Sequence, residues 1–398
     1  MTTAASPPSA VDLDAARRHA VDLSGWGRRF VFYQPRNLAF WAYLVLVGGG
    51  FVTFAQSLRS RYDAYGPAIM LAVTMFALYG AFFWWFTQRV DRYAKLPPKL
   101  MVTAFLWGGF AATWSMAAPA NSAIADLYAK TFGQAWALDW SAGLSAPFTE
   151  ELAKGAGLIL LIALAPRIIR TAFDGLILGA FIGLGFQLIE DVSYALTSAA
   201  AHFGANQIGS SLGTIWLRMF TGVAAHVVYS AIFCAGLVYL IGRPAEPRRI
   251  GRGLLIIVAP FVVHGVWNST GAISGASVLG QLGLMAAMIV ITLVIVVVVF
   301  RLTVGREREL MHTVMAPEVA SGILLAAEVD AMAGDRKARK RYRKAAPRGG
   351  ERRRGRAILG AGRDLAAELA AARGADTERV QFARSEIIRI RQGLPSRW

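Results

Sequence analysis

Long apolar runs alternate with short polar stretches along this chain, and the lengths of the runs set its first reading. The runs cover approximately Leu38–Ser57, Pro67–Phe86, Leu100–Ala118, Ala142–Ala165, Ala172–Thr197, Thr214–Ile241, Gly253–Ser274 and Leu279–Val304. Each is near or above the roughly 20 residues that a helix needs to cross a hydrocarbon core. Breaker signals such as Leu96-Pro97-Pro98, Gly204-Ala205-Asn206 and Pro244-Ala245-Glu246-Pro247 fall between them. The pattern predicts an all-α fold, a polytopic membrane helical bundle of about eight transmembrane helices over 38–304. A segment 1–37 precedes it, and a basic, partly helical tail over 305–398 follows it. Between the third and fourth runs, residues 119–141 place Leu127, Tyr128, Phe132, Trp136 and Trp140 at helical spacing. That amphipathic, aromatic pattern predicts a helix anchored on the membrane surface.

Composition agrees with a membrane protein. The chain is 55% hydrophobic and 17% charged, against about 25% charge for a soluble domain, and its mean hydropathy is +0.44. The single cysteine, Cys234, lies inside an apolar run. This excludes a disulfide framework and a cysteine-based metal site.

The net charge of +17 would suit nucleic acid, but its distribution has a simpler reading. With the N-terminus inside, the cytoplasmic loops 1–37, 87–99, 166–171 and 242–252 carry 15 Lys and Arg, whereas the opposite loops carry 3. That asymmetry predicts two cytoplasmic termini. The tail adds 21 basic residues against 12 acidic ones, with blocks at 336–344 and 352–356. Such blocks are expected near anionic lipid headgroups. No aromatic interleaving accompanies them, so no nucleic acid is expected as a partner.

Ionisable groups inside apolar runs narrow the chemistry, because each costs roughly 2.5–3.5 kcal/mol at bilayer depth. The fourth run holds Glu150, Glu151 and Lys154, and the fifth holds Glu190 and Asp191. The sixth holds Arg218 and His226, and the seventh His264 and Asn268. The other four hold none well inside them. At about 1.5 Å rise per residue, Glu151, Glu190, His226 and His264 fall roughly 10–18 Å from the outer ends of their helices. Four consecutive helices within 142–274 therefore bring acids and imidazoles to one level in the outer half of the bilayer.

Two arrangements fit these groups. A desolvated carboxylate can serve as general base on water and then as general acid, with His264 and Asn268 donating to a developing oxyanion. Alternatively, Glu190, His226 and His264 with one of the glutamate pair could hold zinc or another divalent metal with an open water position. Either describes hydrolysis of a peptide bond in or beside the membrane. A proton- or cation-coupled transporter or channel using the same cluster, and a catalytically silent scaffold, are the competing readings. The internal repeats usual in transporters are not visible in the sequence.

Glu-Glu-x-x-Lys at 150–154, Phe-x-x-x-Glu at 186–190, His226 preceded by Arg218, and His-x-x-Trp-Asn at 264–268 resemble, in order, the motifs of the PrsW family of bacterial intramembrane proteases. That family is related to the CAAX-protease and Abi superfamily. The resemblance implies a catalytic set of Glu150, Glu151, Glu190, His226, His264 and Asn268, supported by Lys154, Phe186, Arg218 and Trp267. It implies an endopeptidase that is either glutamate-dependent or metal-dependent. It also implies a multi-pass protein of the bacterial inner membrane and a membrane-anchored substrate, an anti-sigma factor-like protein cut on the outer side at the start of a stress response. Two features depart from the pattern: Asp191 follows Glu190 where an amide is expected, and the basic tail lies outside the family core.

Overall fold

The computed structural model of the protein describes residues 9–93, 95–275, 277–334, 336–345 and 349–393. Among them the chain is helical and contains no strand. It divides into two compact units. One comprises Phe30–Asp91 and Leu96–Thr303, the other Met1–Arg29, Arg92–Lys95 and Val304–Trp398. The first helix, α1 (Ala10–Ser24), belongs to the second of these.

In the apolar unit, α2 (Leu38–Val90) has 53 residues and would be about 80 Å long if straight, far more than one crossing requires. It bends at Tyr65 (φ −128°, ψ 21°), next to Gly66 and Pro67. Both limbs return to the same helix: Tyr43 Oη donates to Thr103 O at 2.9 Å, and Gln88 Nε2 lies 3.9 Å from Met101 Sδ. The first two predicted spans are therefore the two limbs of one hairpin.

The helix that both limbs touch is α3 (Pro98–Leu106). Pro98 stands in its first turn, where no N–H is needed. The helix continues as a π-helical stretch, Trp107–Ala117, and then as α4 (Ala118–Phe132). Gly133, with φ 91°, turns the chain into α5 (Gln134–Leu164). Residues 119–141 are thus the adjoining ends of two long helices and not a separate surface helix. Tyr128, Phe132 and Trp136 clasp this hairpin, with ring centroids 4.5 to 6.0 Å apart.

Next, α6 (Ala172–Ala199) starts from a capping box formed by Thr171 and Asp174 and is buried over nearly its whole length. Hydrocarbon gives no hydrophobic drive for one helix to join another, so close backbone packing through small residues takes its place. Gly175, Gly179 and Gly183 supply it here. A Cβ at Gly183 would lie 2.1 Å from His226 O, and one at Gly179 would lie 2.3 Å from Ser230 O. On another face of α6, a Cβ at Gly185 would lie 1.9 Å from Phe105 O.

The sixth predicted span is broken. Its first half is α7 (Gln207–Thr221), residues 222–225 leave the α-helical path, and α8 (His226–Ile241) begins at the histidine. Such a break is tolerated at membrane depth only where something satisfies the freed backbone. Fully buried Gln187 does so, donating to Gly222 O at 3.2 Å and accepting from Val227 N at 3.5 Å. Three further helices complete the unit: α9 (Ile250–Asn268), the short α10 (Thr270–Ile273) and α11 (Val278–Ala320). The last passes into the second unit at Val304. Cys234 is a buried free thiol on α8.

Six helical segments among the described residues are long and apolar enough to cross a membrane. The protein is a multi-pass helical membrane protein. At 31 residues α5 also has the length, but its middle carries Glu150, Glu151 and Lys154. One end of the unit gathers Gln34, Asn37, residues 163–169 and Arg243 through side-chain-to-carbonyl hydrogen bonds of 2.8 to 3.1 Å. The other end gathers the bend of α2 and the start of α7, where Gln207 Nε2 donates to Ala64 O at 3.4 Å.

The second unit adds α12 (Ala326–Met332), α13 (Arg336–Ala345), α14 (Gly350–Ala371) and α15 (Glu378–Arg391) to α1 and the end of α11. Val21, Leu324, Met332, Leu365, Leu369, Val380 and Ile387 form its core. Buried Arg17 donates to Glu318 at 2.6 Å, and Arg384 closes on the same carboxylate at 2.8 Å. Trp26 Nε1 donates to Glu307 at 3.2 Å. The basic tail therefore has a core of its own, which it shares with the N-terminal helix.

Candidate active site

Successive residues on a helix point about 100° apart, and this separates the two adjacent glutamates of α5. Glu150 faces a polar cavity of about 400 Å³, whereas Glu151 is fully buried behind it. Lys154, one turn later and also fully buried, serves both. Its Nζ lies 2.8 Å from Glu151 Oε1 and 3.5 Å from Glu150 Oε2, and sits 3.9 Å over the ring of Phe186. The same ammonium is 3.0 Å from His226 Nδ1.

The partners of His226 assign its tautomer. Nε2 meets Glu190 Oε2 at 2.9 Å and donates to it, so Nδ1 is left to accept. Glu190 is held in turn by Arg218 Nη2 at 2.8 Å. Arg218 also donates through Nε to Asp191 and stacks over Tyr194 with its guanidinium 4.4 Å from the ring centroid. Thus α7 supplies the cation that fixes two acids of α6, and α6 fixes the first imidazole of α8.

The second imidazole comes from α9. His264 Nε2 is 3.8 Å from Glu150 Oε2, and its Nδ1 is 3.5 Å from Glu151 Oε1. Tyr229 stacks on the His264 ring at 5.3 Å, and the two imidazoles stand edge to face at 5.2 Å.

The structure brings together Glu150, Glu151, Lys154, Phe186, Glu190, Arg218, His226 and His264. Trp267 and Asn268 line the same cavity, but Asn268 Nδ2 is turned to Ala142 O at 3.3 Å. Three residues outside the sequence motifs also take part: Gln187, Tyr229 and Asn121. Asn121, on α4, donates its amide to Glu150 Oε1 at 3.2 Å and accepts a short hydrogen bond from the Thr149 hydroxyl. Its stretch also carries Ser122, Asp126 and Lys130, so nothing in the sequence singles Asn121 out.

The donor set fits a divalent metal. Glu150, His226 and His264 each bring one ligand atom within 4.8 Å of the others. From Glu150 Oε2, His226 Nδ1 is 3.7 Å and His264 Nε2 is 3.8 Å away. Ligand atoms around tetrahedral zinc stand about 3.3 Å apart, so the three side chains would close in slightly, and the Lys154 ammonium, now 3.0 Å from His226 Nδ1 and 3.5 Å from Glu150 Oε2, would withdraw from both. Two buried atoms in the cluster, Glu151 Oε2 and His264 Nδ1, have no hydrogen-bond partner among the described residues. The carboxylate in this set is Glu150. Glu190, which the sequence offered as a ligand, stands behind His226, as the carboxylates that orient metal-binding imidazoles do.

Acids and imidazoles from four membrane helices around one polar cavity define the class: a membrane-embedded hydrolase. Residues 96–301, just over half of the chain, match the family model described as PrsW family intramembrane metalloprotease. The chain belongs to that family, and it is a membrane protease. Comparisons with curated proteins and with solved structures gave no match.

Removing the hydrogen bond from Asn121 to the Glu150 carboxylate should cost about 1.5–3 kcal/mol. Asn121→Ala is therefore expected to slow peptide cleavage roughly tenfold to a hundredfold. Asn121 is only half-buried, so the thermal unfolding midpoint should stay close to that of the parent. A variant with unchanged turnover would remove Asn121 from the site.

Proposed function

We propose that the protein cleaves a peptide bond of a membrane-anchored protein at the level of Glu150, His226 and His264, near the outer face of a bacterial inner membrane. The observation that carries this reading is the cavity itself, which is polar at bilayer depth and bounded by Glu150, both imidazoles and Asn268. Its residues belong to the end of the bundle where α2 bends, away from the basic loops, which supports cleavage on the outer side with both termini in the cytoplasm. An anti-sigma factor-like substrate is the family-based reading.

Glu150 takes a proton from water at its Oε2 and later returns it to the leaving amine. Asn121 holds the other oxygen, Oε1, so the attacking face of the carboxylate is fixed. Glu151 holds Lys154 through its Oε1 and faces His264 from behind the cavity, and it makes no contact with the cavity itself. Glu190 and Arg218 keep the lone pair of His226 Nδ1 directed inward. Held by Glu150, His226 and His264, a divalent metal would occupy Glu150 Oε2 as a ligand, and would supply Lewis acidity and a more acidic water in place of the free carboxylate base.

Substrate trapping by a Glu150→Gln variant, followed by mass spectrometry of the membrane proteins retained, tests the substrate reading. Capture of single-span proteins with a short outer juxtamembrane segment is expected; capture of none, with the parent equally inert toward membrane proteins, would overturn it. Metal removal is a separate measurement. Stripping with a chelator should lower both the cleavage rate and the thermal unfolding midpoint, and zinc should restore both. Undiminished cleavage by demonstrably metal-free protein would leave Glu150 acting unassisted.

A further inference from the structure

Five arginines meet in the second unit around a cavity of about 360 Å³ between α13 and α14. They are Arg339 and Arg343 from α13, and Arg352, Arg356 and Arg363 from α14, with the Tyr342 ring as a wall. Among the described residues no carboxylate lines the cavity. The nearest one through Tyr342 is Glu328, which is already engaged by Arg391 at 2.8 and 3.2 Å. Asp364, beside Arg363, offers that residue partial relief from outside the cavity.

The arginines are not balanced from within. Arg339 donates through Nε to Ala331 O at 3.3 Å, but its Nη2 is shut off from solvent and has no hydrogen-bond partner among the described residues. Burial, and then the nearby guanidinium of Arg92, pull the pKa values of Arg339 and Arg363 below the usual arginine value. Arg343, Arg352, Arg356 and Arg363 are exposed, so water and salt screen their mutual repulsion; the enclosed Nη2 of Arg339 has no such relief. A guanidinium offers paired N–H donors matched to two oxygens of a phosphate group.

We propose that the Arg339–Arg343–Arg352–Arg356–Arg363 cavity is a binding site for a phosphate-bearing anion. Both a phospholipid headgroup and a soluble diphosphate have this chemistry. The site lies in the second unit and involves no residue of the proteolytic cluster, so it stands or falls independently of that function.

The test uses the full-length protein in a neutral detergent, with two probes. Binding of inorganic pyrophosphate is measured by calorimetry, and retention of phosphatidylglycerol against phosphatidylcholine by native mass spectrometry. One site per chain is expected, weakened about tenfold or more in Arg339→Gln/Arg363→Gln. The control Lys340→Gln/Lys344→Gln removes the same charge from exposed positions outside the cavity and should change binding less than about twofold. Because Arg339 also anchors Ala331, the exposed pair Arg343→Gln/Arg352→Gln provides a second disruption, with the same loss expected. Saturable pyrophosphate binding assigns a soluble ligand. Retained phosphatidylglycerol without pyrophosphate binding assigns a lipid headgroup. Failure of both probes, or equal weakening by the control pair, overturns the proposal.

Discussion

Glu150→Gln is expected to lower the cleavage rate about 10²–10⁴-fold, the usual contribution of a positioned general acid–base group. The amide fills the same space and can still meet Asn121, so the fold should survive while the proton acceptor is lost. A divalent metal held by the same carboxylate would be weakened by the same change. Glu151→Gln should act differently. Glu151 does not border the cavity and is tied to Lys154, so its loss should loosen Lys154 and His264, with a smaller fall in rate and a measurable fall in stability. Rates on a co-reconstituted membrane substrate, with unfolding midpoints for each variant, separate the two roles. Parental turnover by Glu150→Gln would remove it as the base.

Lys154→Met is expected to be the most destabilising single change in the membrane unit. It leaves two buried carboxylates and a buried imidazole without their common cation, and breaking a buried pair from one side costs about 3–5 kcal/mol. The side chain is fully enclosed, so water cannot take the place of the ammonium without rearrangement. The matching double variant, Lys154→Met/Glu151→Gln, removes the charge that was left behind and should recover much of the loss. Thermal unfolding of the parent, both single variants and the double variant completes a cycle. Purely additive losses would show that the pair is not coupled.

The separation between what could be read in advance and what could not has physical causes. The spans were legible because crossing a bilayer demands a length of apolar chain. The acids and imidazoles were legible because they interrupt such runs at a price that function explains. The bend of α2 was marked by Gly66-Pro67, which parted the first two runs although the helix continues on both sides of the turn. Asn121 was not legible: its stretch has the pattern of a surface helix, and only folding of α4 back along α5 carries it to Glu150. Nor was the break before His226, since the apolar run continues across it and Gly222 is its only mark. The core of the second unit was hidden for another reason. Its apolar residues are spread thinly over several helices among many charges, so composition pointed to a basic tail at the lipid surface before packing could be seen.

The π-helical stretch Trp107–Ala117 has a consequence for how this site is aligned. Its hydrogen bonds reach back five residues, as Ala118 N to Thr113 O does, so the spiral is wider and each residue advances by less than the α-helical 100°. Over eleven residues the deficit accumulates into a change of phase, and everything on α4 faces a direction that an uninterrupted α-helix would not give it. The upstream face of that helix meets α6 through Gly108 and hydrogen-bonds α5 through Trp107, whose Nε1 donates to Ala153 O at 3.0 Å. The downstream face presents Asn121 to Glu150. One continuous helix thus serves two neighbours in different registers, and the aim of the Glu150 carboxylate depends on backbone winding that begins at Trp107 and ends about one turn before Asn121.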